Sequence, residues 1–180
     1  MQDVAQVYAP DASTEPLLGP WGKRLHWLTQ AFAVIGGLGF IALVLMSLVS
    51  IIGRKIASAP IPGDIEIMQM GGAAAAAAML PFCEMDRHHL RVDFFTTRLS
   101  LSARQRLDAV SHLLLALVAA VVAWRTAVGA ASLKEAGESS MMLMWPVWTV
   151  VAALVPSFVL LAAAGLYNAG AYWVAARSRI

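Results

Sequence analysis

The chain is poor in charge and in cysteine, and both shortages exclude whole classes of protein. Only 13% of its 180 residues are charged, whereas a soluble domain carries about 25%. A single cysteine, Cys83, excludes an internal disulfide framework. The formal net charge of +2 is too small to indicate a nucleic-acid-binding surface. The apolar runs are continuous rather than alternating, which excludes a transmembrane β-barrel.

Apolar sequence is what the chain has in excess. Hydrophobic residues make up 59% of it, and the mean hydropathy is +0.69. A single hydrophobic core in a chain of this length could not bury so much apolar surface, so we expect the chain to lie in a lipid bilayer. The apolar runs predict an all-α protein with four transmembrane helices, each about 30 Å or longer at 1.5 Å per residue. The predicted spans are residues 31–52, 65–85, 109–133 and 144–176.

Basic residues flank these spans unevenly. The segments before the first span, between the second and third, and after the fourth hold nine of the lysines and arginines; the other two connections hold three. The positive-inside rule therefore predicts that both termini and the central loop are cytoplasmic. Residues 1–20 contain no Lys or Arg and are expected to form a disordered cytoplasmic tail rather than a signal peptide. The predicted membrane domain covers residues 21–176, followed by a short cytoplasmic tail at 177–180.

The stretch from residue 84 to 108 is a polar, basic island between two apolar spans. It contains five arginines, with leucine, valine and phenylalanine between them. Such a mixture predicts an amphipathic segment that lies on the cytoplasmic headgroups between helices 2 and 3. We expect four of its residues to contact lipid or a partner protein. These are His89, Arg91, Asp93 and Arg98.

The second predicted span begins with two carboxylates and continues with very small residues. Asp64 follows Pro62-Gly63, where a helix N-cap is expected, and Glu66 falls in the first turn. Capping accounts for both, although contact with a partner at the outer surface is an alternative. Gly71 and Gly72 precede six alanines, a surface that lets another helix approach closely in lipid. We therefore expect this helix to pack against a partner. The simpler alternative is that the alanines only favour helix formation.

Two polar residues interrupt the later spans. Arg125 is the only charge well inside an apolar span. Next to Trp124, its side chain is expected to reach the outer interface; a salt bridge or lipid headgroup at a subunit interface is the alternative. Asn168 is predicted to be an isolated buried amide. Since no catalytic pair or broken mid-membrane helix is recognisable, we predict neither a catalytic site nor a transport site in this chain.

Histidines raise the alternative of a haem-carrying membrane anchor. His26 and His112 both lie near predicted cytoplasmic helix ends, and bis-histidine haem requires two such residues to face each other. His88 and His89 have acidic neighbours but no recognisable metal-ligand spacing. Interfacial positions also suit unliganded histidines, so the sequence predicts no metal and no cofactor, with haem kept as the alternative.

Several motifs together resemble a known family. Gly63-Asp64-Ile65-Glu66 opens the second span, His89-Leu90-Arg91-Val92-Asp93 follows it, and Ser139-Ser140 precedes Trp145-Pro146-Val147-Trp148 and Pro156. This pattern resembles the DctQ-type small membrane subunit of TRAP (tripartite ATP-independent periplasmic) transporters, over about residues 21 to 173. One departure is Met141-Met142-Leu143-Met144, where the family more usually has a proline soon after the serine.

The resemblance implies a transport function without a substrate site in this chain. A large membrane subunit would carry an organic acid with sodium, a periplasmic solute-binding protein would deliver it, and this chain would be their scaffold. Its location would be the bacterial inner membrane. Because no substrate-binding residue is expected in this chain, its sequence does not identify the transported substrate. The alternative function is a haem-binding membrane anchor of a respiratory oxidoreductase.

Overall fold

Four long helices make up the part of the chain that the structure describes. The computed structural model describes residues 19–57, 61–86 and 101–177. The helices are α1 (Pro20–Ala57), α2 (Asp64–Met85), α3 (Leu101–Ala136) and α4 (Val147–Arg177). All four are long and apolar enough to cross a membrane, and no strand is present in the described ranges. The prediction of an all-α protein with four membrane-spanning helices is confirmed.

The helices extend beyond the spans predicted from hydropathy. α1 already begins at Pro20, within the residues assigned to the disordered tail, and α4 continues to Arg177. A helix keeps its own backbone hydrogen bonds after it leaves the hydrocarbon, so the end of an apolar run does not end the helix. In contrast, α4 begins at Val147 rather than at residue 144, because residues before it form a turn. Of the predicted interfacial segment, residues 84–108, the first two residues belong to α2 and residues 101–108 belong to α3. Residues 87–100 lie outside the described ranges.

The bundle order differs from the sequence order. α2 packs against α1 and α4, and α4 packs against α2 and α3, so the helices follow one another in space as α1, α2, α4, α3. Within the described ranges, α2 and α3 do not pack directly. We call the end where α1 begins and α4 ends the terminal end, and the end where α2 begins and α3 ends the loop end.

Small residues set the spacing of the helices. A Cβ placed on Gly36 of α1 would lie 2.7 Å from the Ala75 carbonyl oxygen of α2, and one on Gly165 of α4 would lie 3.0 Å from Cβ of Ala116 in α3. Most of the buried apolar side chains of α2, α3 and α4 are alanines. Close backbone approach between small residues is a main source of helix association in lipid. Contact between small residues therefore determines how closely the helices approach one another.

α1 is the least covered helix. Only 6% of the residues in its most apolar stretch are buried, compared with 28% for α3 and for α4. Many of its apolar side chains, including Val34, Leu38 and Val44, are more than half exposed. In a bilayer this surface meets lipid or another membrane protein.

Candidate functional site

A buried polar network joins three helices at the terminal end. Glu84, in the last turn of α2, is completely buried. Its Oε1 lies 2.5 Å from Nδ1 of His112 in α3. Asn168 of α4 donates through Nδ2 to the Glu84 backbone carbonyl at 2.8 Å and approaches the Glu84 carboxylate at 3.4 Å. The His112 ring stacks on Tyr172 of α4, with their centroids 5.3 Å apart and the planes only 8° from parallel.

This network connects helices that the bundle otherwise keeps apart. Since α2 and α3 do not pack directly in the described ranges, the Glu84–His112 contact bridges them through side chains alone. Asn168 in turn donates to the backbone carbonyl of Glu84 in the last turn of α2, where helix carbonyls lack intrahelical partners. The prediction that Asn168 is isolated was wrong, because its partner is 84 residues away in the sequence. The terminal end is thus fixed by buried hydrogen bonds as well as by packing.

A second histidine–carboxylate pair lies at the same end. Nε2 of His26 in α1 lies 3.1 Å from Oδ1 of Asp86, which directly follows α2, and both side chains are about one-third exposed. The His26 ring also meets Phe82 edge to face, with 6.0 Å between ring centroids. This pair attaches the start of α1 to the end of α2.

These contacts bear on the haem alternative. His26 and His112 each lie against a carboxylate of the α2 end, and their helices, α1 and α3, are not neighbours in the described bundle. In the described structure each of the two histidines is therefore engaged by a carboxylate at the end of α2. Within the described ranges, no group of three or more His, Cys, Asp or Glu residues is placed to hold a metal ion. His88 and His89 lie outside those ranges.

At the loop end, Glu66 holds the connection between α3 and α4. Its carboxylate accepts hydrogen bonds from the Ser140 hydroxyl at 2.8 Å and from the backbone N–H groups of Met142 and Leu143 at 2.9 and 3.1 Å. The Leu143 side chain lies directly on Gly63, where a Cβ would come within 2.7 Å of it. Glu66 was expected to serve as a charge in the first turn of α2. It also positions a loop more than 70 residues away.

Asp64 joins α2 to α1 and also accepts a hydrogen bond from the Ile65 N–H in the first turn of α2, at 2.8 Å. Helix α2 begins at Asp64 itself, and the N-cap residue is Gly63 in the left-handed region, with φ 74° and no side-chain cap. The predicted N-cap was therefore displaced by one residue, because glycine adopts this turn without steric cost. Asp64 accepts hydrogen bonds from Ser50 at 2.5 Å and Arg54 at 3.4 Å, both in α1.

The connection between α3 and α4 is a short hairpin, residues 139–146. Ser139 and Pro146 form an isolated antiparallel bridge, and the Ser140 N–H donates to the Trp145 carbonyl at 2.9 Å. Met144, with φ 53°, supplies the left-handed residue that closes the turn. Uncommon for a residue with a side chain, that conformation is held by the surrounding hydrogen bonds. The 139–146 hairpin is thus a defined element seated on the start of α2.

We expect Glu66→Ala to release this hairpin. The substitution removes the acceptor for one hydroxyl and two backbone donors, and a loop that loses its hydrogen bonds opens locally more often. Limited proteolysis of the purified chain in detergent should then cut within residues 139–146 several-fold faster than in the parent. Glu138→Ala, at the exposed base of the same hairpin, serves as the matched control. Equal cleavage rates in both variants would contradict the anchoring role of Glu66.

The remaining predicted interface residues have different surroundings. Gly71 faces Leu43 of α1 inside the chain, whereas a Cβ on Gly72 would meet nothing within 4 Å. Arg125 is exposed beside the exposed Trp124. The four candidates of the central loop fall outside the described ranges. They are His89, Arg91, Asp93 and Arg98.

Sequence reasoning missed the terminal network, although it contained a signal. Glu84 and Asn168 are polar residues inside predicted spans, and such residues in a membrane helix usually face a partner in the bundle. Glu84 was counted with the polar loop that follows it, so its depth was not recognised. Tyr172, also within the fourth predicted span, is 4% exposed and stacked on His112.

The fold and its polar connections define the class: a small polytopic membrane protein of four helices, fixed at each end by hydrogen bonds between helices. The family described as tripartite ATP-independent periplasmic transporters, DctQ component, matches residues 43–173. The chain therefore belongs to the DctQ family, as its motifs predicted. This is a family of transporter components rather than of enzymes. Neither the curated proteins nor the solved structures contain a match to the chain.

Proposed function

We propose that this chain is the scaffold subunit that supports the large membrane subunit of a TRAP transporter. The large subunit would take up an organic acid with sodium, after a periplasmic solute-binding protein delivers it. The observation that carries the proposal is membership of the DctQ family over residues 43–173. The polar groups described above connect helices of this chain to one another, which suits a positional role.

The proposed location is the bacterial inner membrane, with both termini cytoplasmic. The nine-to-three distribution of flanking lysines and arginines supports this orientation. The terminal end, with Glu84 and His112, would then lie toward the cytoplasm. The loop end, with Glu66 and the 139–146 hairpin, would lie toward the periplasm.

A groove between α1 and α2 is the proposed contact for the large subunit. Gly72 and Met68 of α2 form one side, and α1 forms the other with Phe40, Val44 and Leu48. Because Gly72 carries no side chain and faces open space, the backbone of another helix can come close there. Such approach over a small residue is how helices associate in lipid. The sparse cover on α1 leaves room for this partner.

Co-purification tests the proposed function. The chain, tagged and co-expressed with a large TRAP subunit from the same genome, should bring that subunit through affinity purification in stoichiometric amount. Uptake of organic acids by the reconstituted three-component system should require this chain. A chain that purifies entirely alone, together with transport that persists in its absence, would overturn the proposal.

A leucine at Gly72 tests the proposed groove. A Cβ at this position meets nothing within 4 Å, so a side chain can leave the backbone there without a clash, while it blocks the approach of a partner helix. We expect Gly72→Leu to reduce the amount of co-purified large subunit by roughly tenfold, equivalent to about 1.4 kcal/mol. Gly129→Leu is the matched control, because Gly129 of α3 is also helical and open. Equal losses for the two variants, or none for either, would place the contact elsewhere.

A further inference from the structure

The tip of the 139–146 hairpin exposes large apolar side chains. Met141 is 95% exposed, Met142 71% and Met144 74%, and Trp145 beside them is 57% exposed. Leu143 alone turns inward, onto Gly63. The tip carries no charged residue. A tightly connected hairpin that presents three methionines and a tryptophan outward is an interaction surface rather than an incidental turn.

The contacts of Glu66 set the depth of this tip. α2 contains 22 residues, which gives a length of about 33 Å, little more than the hydrocarbon core of about 30 Å. Its whole length is needed for the crossing, so its first turn lies at the boundary of the hydrocarbon. Glu66 belongs to that turn and binds the backbone of Met142 and Leu143. The tip is therefore held at the hydrocarbon boundary and cannot project freely into water.

The start of α4 and the side chains around it also indicate that the hairpin lies at the membrane boundary. α4 begins directly after the hairpin and contains no charged residue from Val147 to Val174, a length of about 42 Å. This length fills the hydrocarbon and reaches into the headgroup region. At its start, the Lys134 ammonium lies 5.1 Å from the centre of the Trp148 ring. Tryptophan and lysine together are typical of the membrane–water interface.

From these observations we propose that the hairpin tip inserts into the lipid interface. Met141, Met142 and Met144, with Trp145, dip into the headgroup and upper acyl region on the loop side of the membrane. Glu66 fixes the hairpin in the orientation that points them there. The occupant of this surface is membrane lipid, not a soluble protein. Because the tip is uncharged, insertion requires no particular headgroup charge. This proposal needs only that the four helices cross a bilayer, so it stands apart from the proposed assembly with a large subunit.

Collision accessibility of a spin label tests the insertion. The full chain, with Cys83→Ser and Met142→Cys, is labelled with a nitroxide and reconstituted into phosphatidylcholine–phosphatidylglycerol nanodiscs. Oxygen concentrates in the bilayer, while a nickel chelate stays in water. We expect the label at position 142 to collide several-fold more with oxygen than with the chelate. Glu138→Cys in the same background, at the charged base of the hairpin, should show the reverse preference.

Two results would overturn the proposal. If the label at position 142 collides with the nickel chelate as readily as the label at 138, the tip lies in water. If it is shielded from both reagents, a protein surface, such as a second copy of the chain, covers the tip. Because Met142 is 71% exposed, its replacement removes little internal packing, and matching circular dichroism spectra for the two labelled variants would verify that both are folded. The test uses this chain alone, so failure of assembly with a large subunit does not affect its outcome.

Discussion

Replacing Glu84 with alanine is expected to cost this protein about 1–3 kcal/mol of its free energy of unfolding, the usual effect of leaving a buried hydrogen-bonding group without its partner. The carboxylate is completely buried and contacts His112 at 2.5 Å. Without it, the imidazole stays in the bundle with no acceptor from α2, and α2 loses its side-chain connection to α3. Unfolding of the purified chain in mixed detergent micelles, followed by circular dichroism, would measure the loss.

A matched control separates this effect from the loss of any glutamate. Glu135 of α3 is exposed, and a substitution at such a position usually changes stability by about 0.5 kcal/mol or less. Glu135→Ala should therefore unfold close to the parent. If Glu84→Ala unfolds at the same detergent concentration as Glu135→Ala, the terminal network contributes little to stability.

The second large effect is expected at Gly36. A Cβ at this position would lie 2.7 Å from the Ala75 carbonyl oxygen and 3.1 Å from Cβ of Ala78. The obstructing carbonyl belongs to the α2 backbone, so α1 and α2 must separate to admit a methyl group. Overpacking of this kind costs about 1–3 kcal/mol. We expect Gly36→Ala to lower the free energy of unfolding by this amount and to weaken the attachment of α1.

Gly37 provides the control one residue further along the same helix. A Cβ there meets nothing within 4 Å. Replacing a helical glycine by alanine at a position without strain stabilises a protein by about 0.4–1 kcal/mol, because the unfolded chain loses freedom. Gly37→Ala should thus be neutral or stabilising in the same unfolding assay. A lower free energy of unfolding for Gly36→Ala, with an unchanged or higher one for Gly37→Ala, would verify the α1–α2 contact. Destabilisation by both substitutions to the same extent would contradict it.

Local pattern was sufficient for the fold class. An apolar run long enough to cross a bilayer predicts a helix whatever surrounds it, since in lipid the backbone must satisfy its own hydrogen bonds. This is why four spans could be identified and why four helices are observed. The family was also accessible, because Gly63 to Glu66 and the motifs after them are contiguous in sequence. Helix ends were predicted less well: α1 begins at Pro20, well before the apolar run.

The candidate site was only partly accessible from the sequence. Glu66 was recognised as a candidate, yet its partners, Ser140 and the 142–143 backbone, follow more than 70 residues later. Asp64 was assigned to capping, although its side chain binds Ser50 and Arg54 in α1. A carboxylate at the start of a helix is readily explained by its local capping role, so its hydrogen bonds to residues far away in the sequence are overlooked. Nothing in the spacing of these residues distinguishes the two.

Sequence alone was enough to predict that the protein lies in a lipid bilayer, how many helices it has and which family it belongs to. Each of these depends on residues that are adjacent in the chain. The bundle order α1, α2, α4, α3 and the joining of Glu84, His112 and Asn168 depended on the tertiary structure. Gly36 and Gly37 make the reason plain: they are identical and adjacent, yet one touches α2 and the other faces open space. The packing of whole helices against one another determines which face of each helix is in contact. A local sequence pattern does not predict that face.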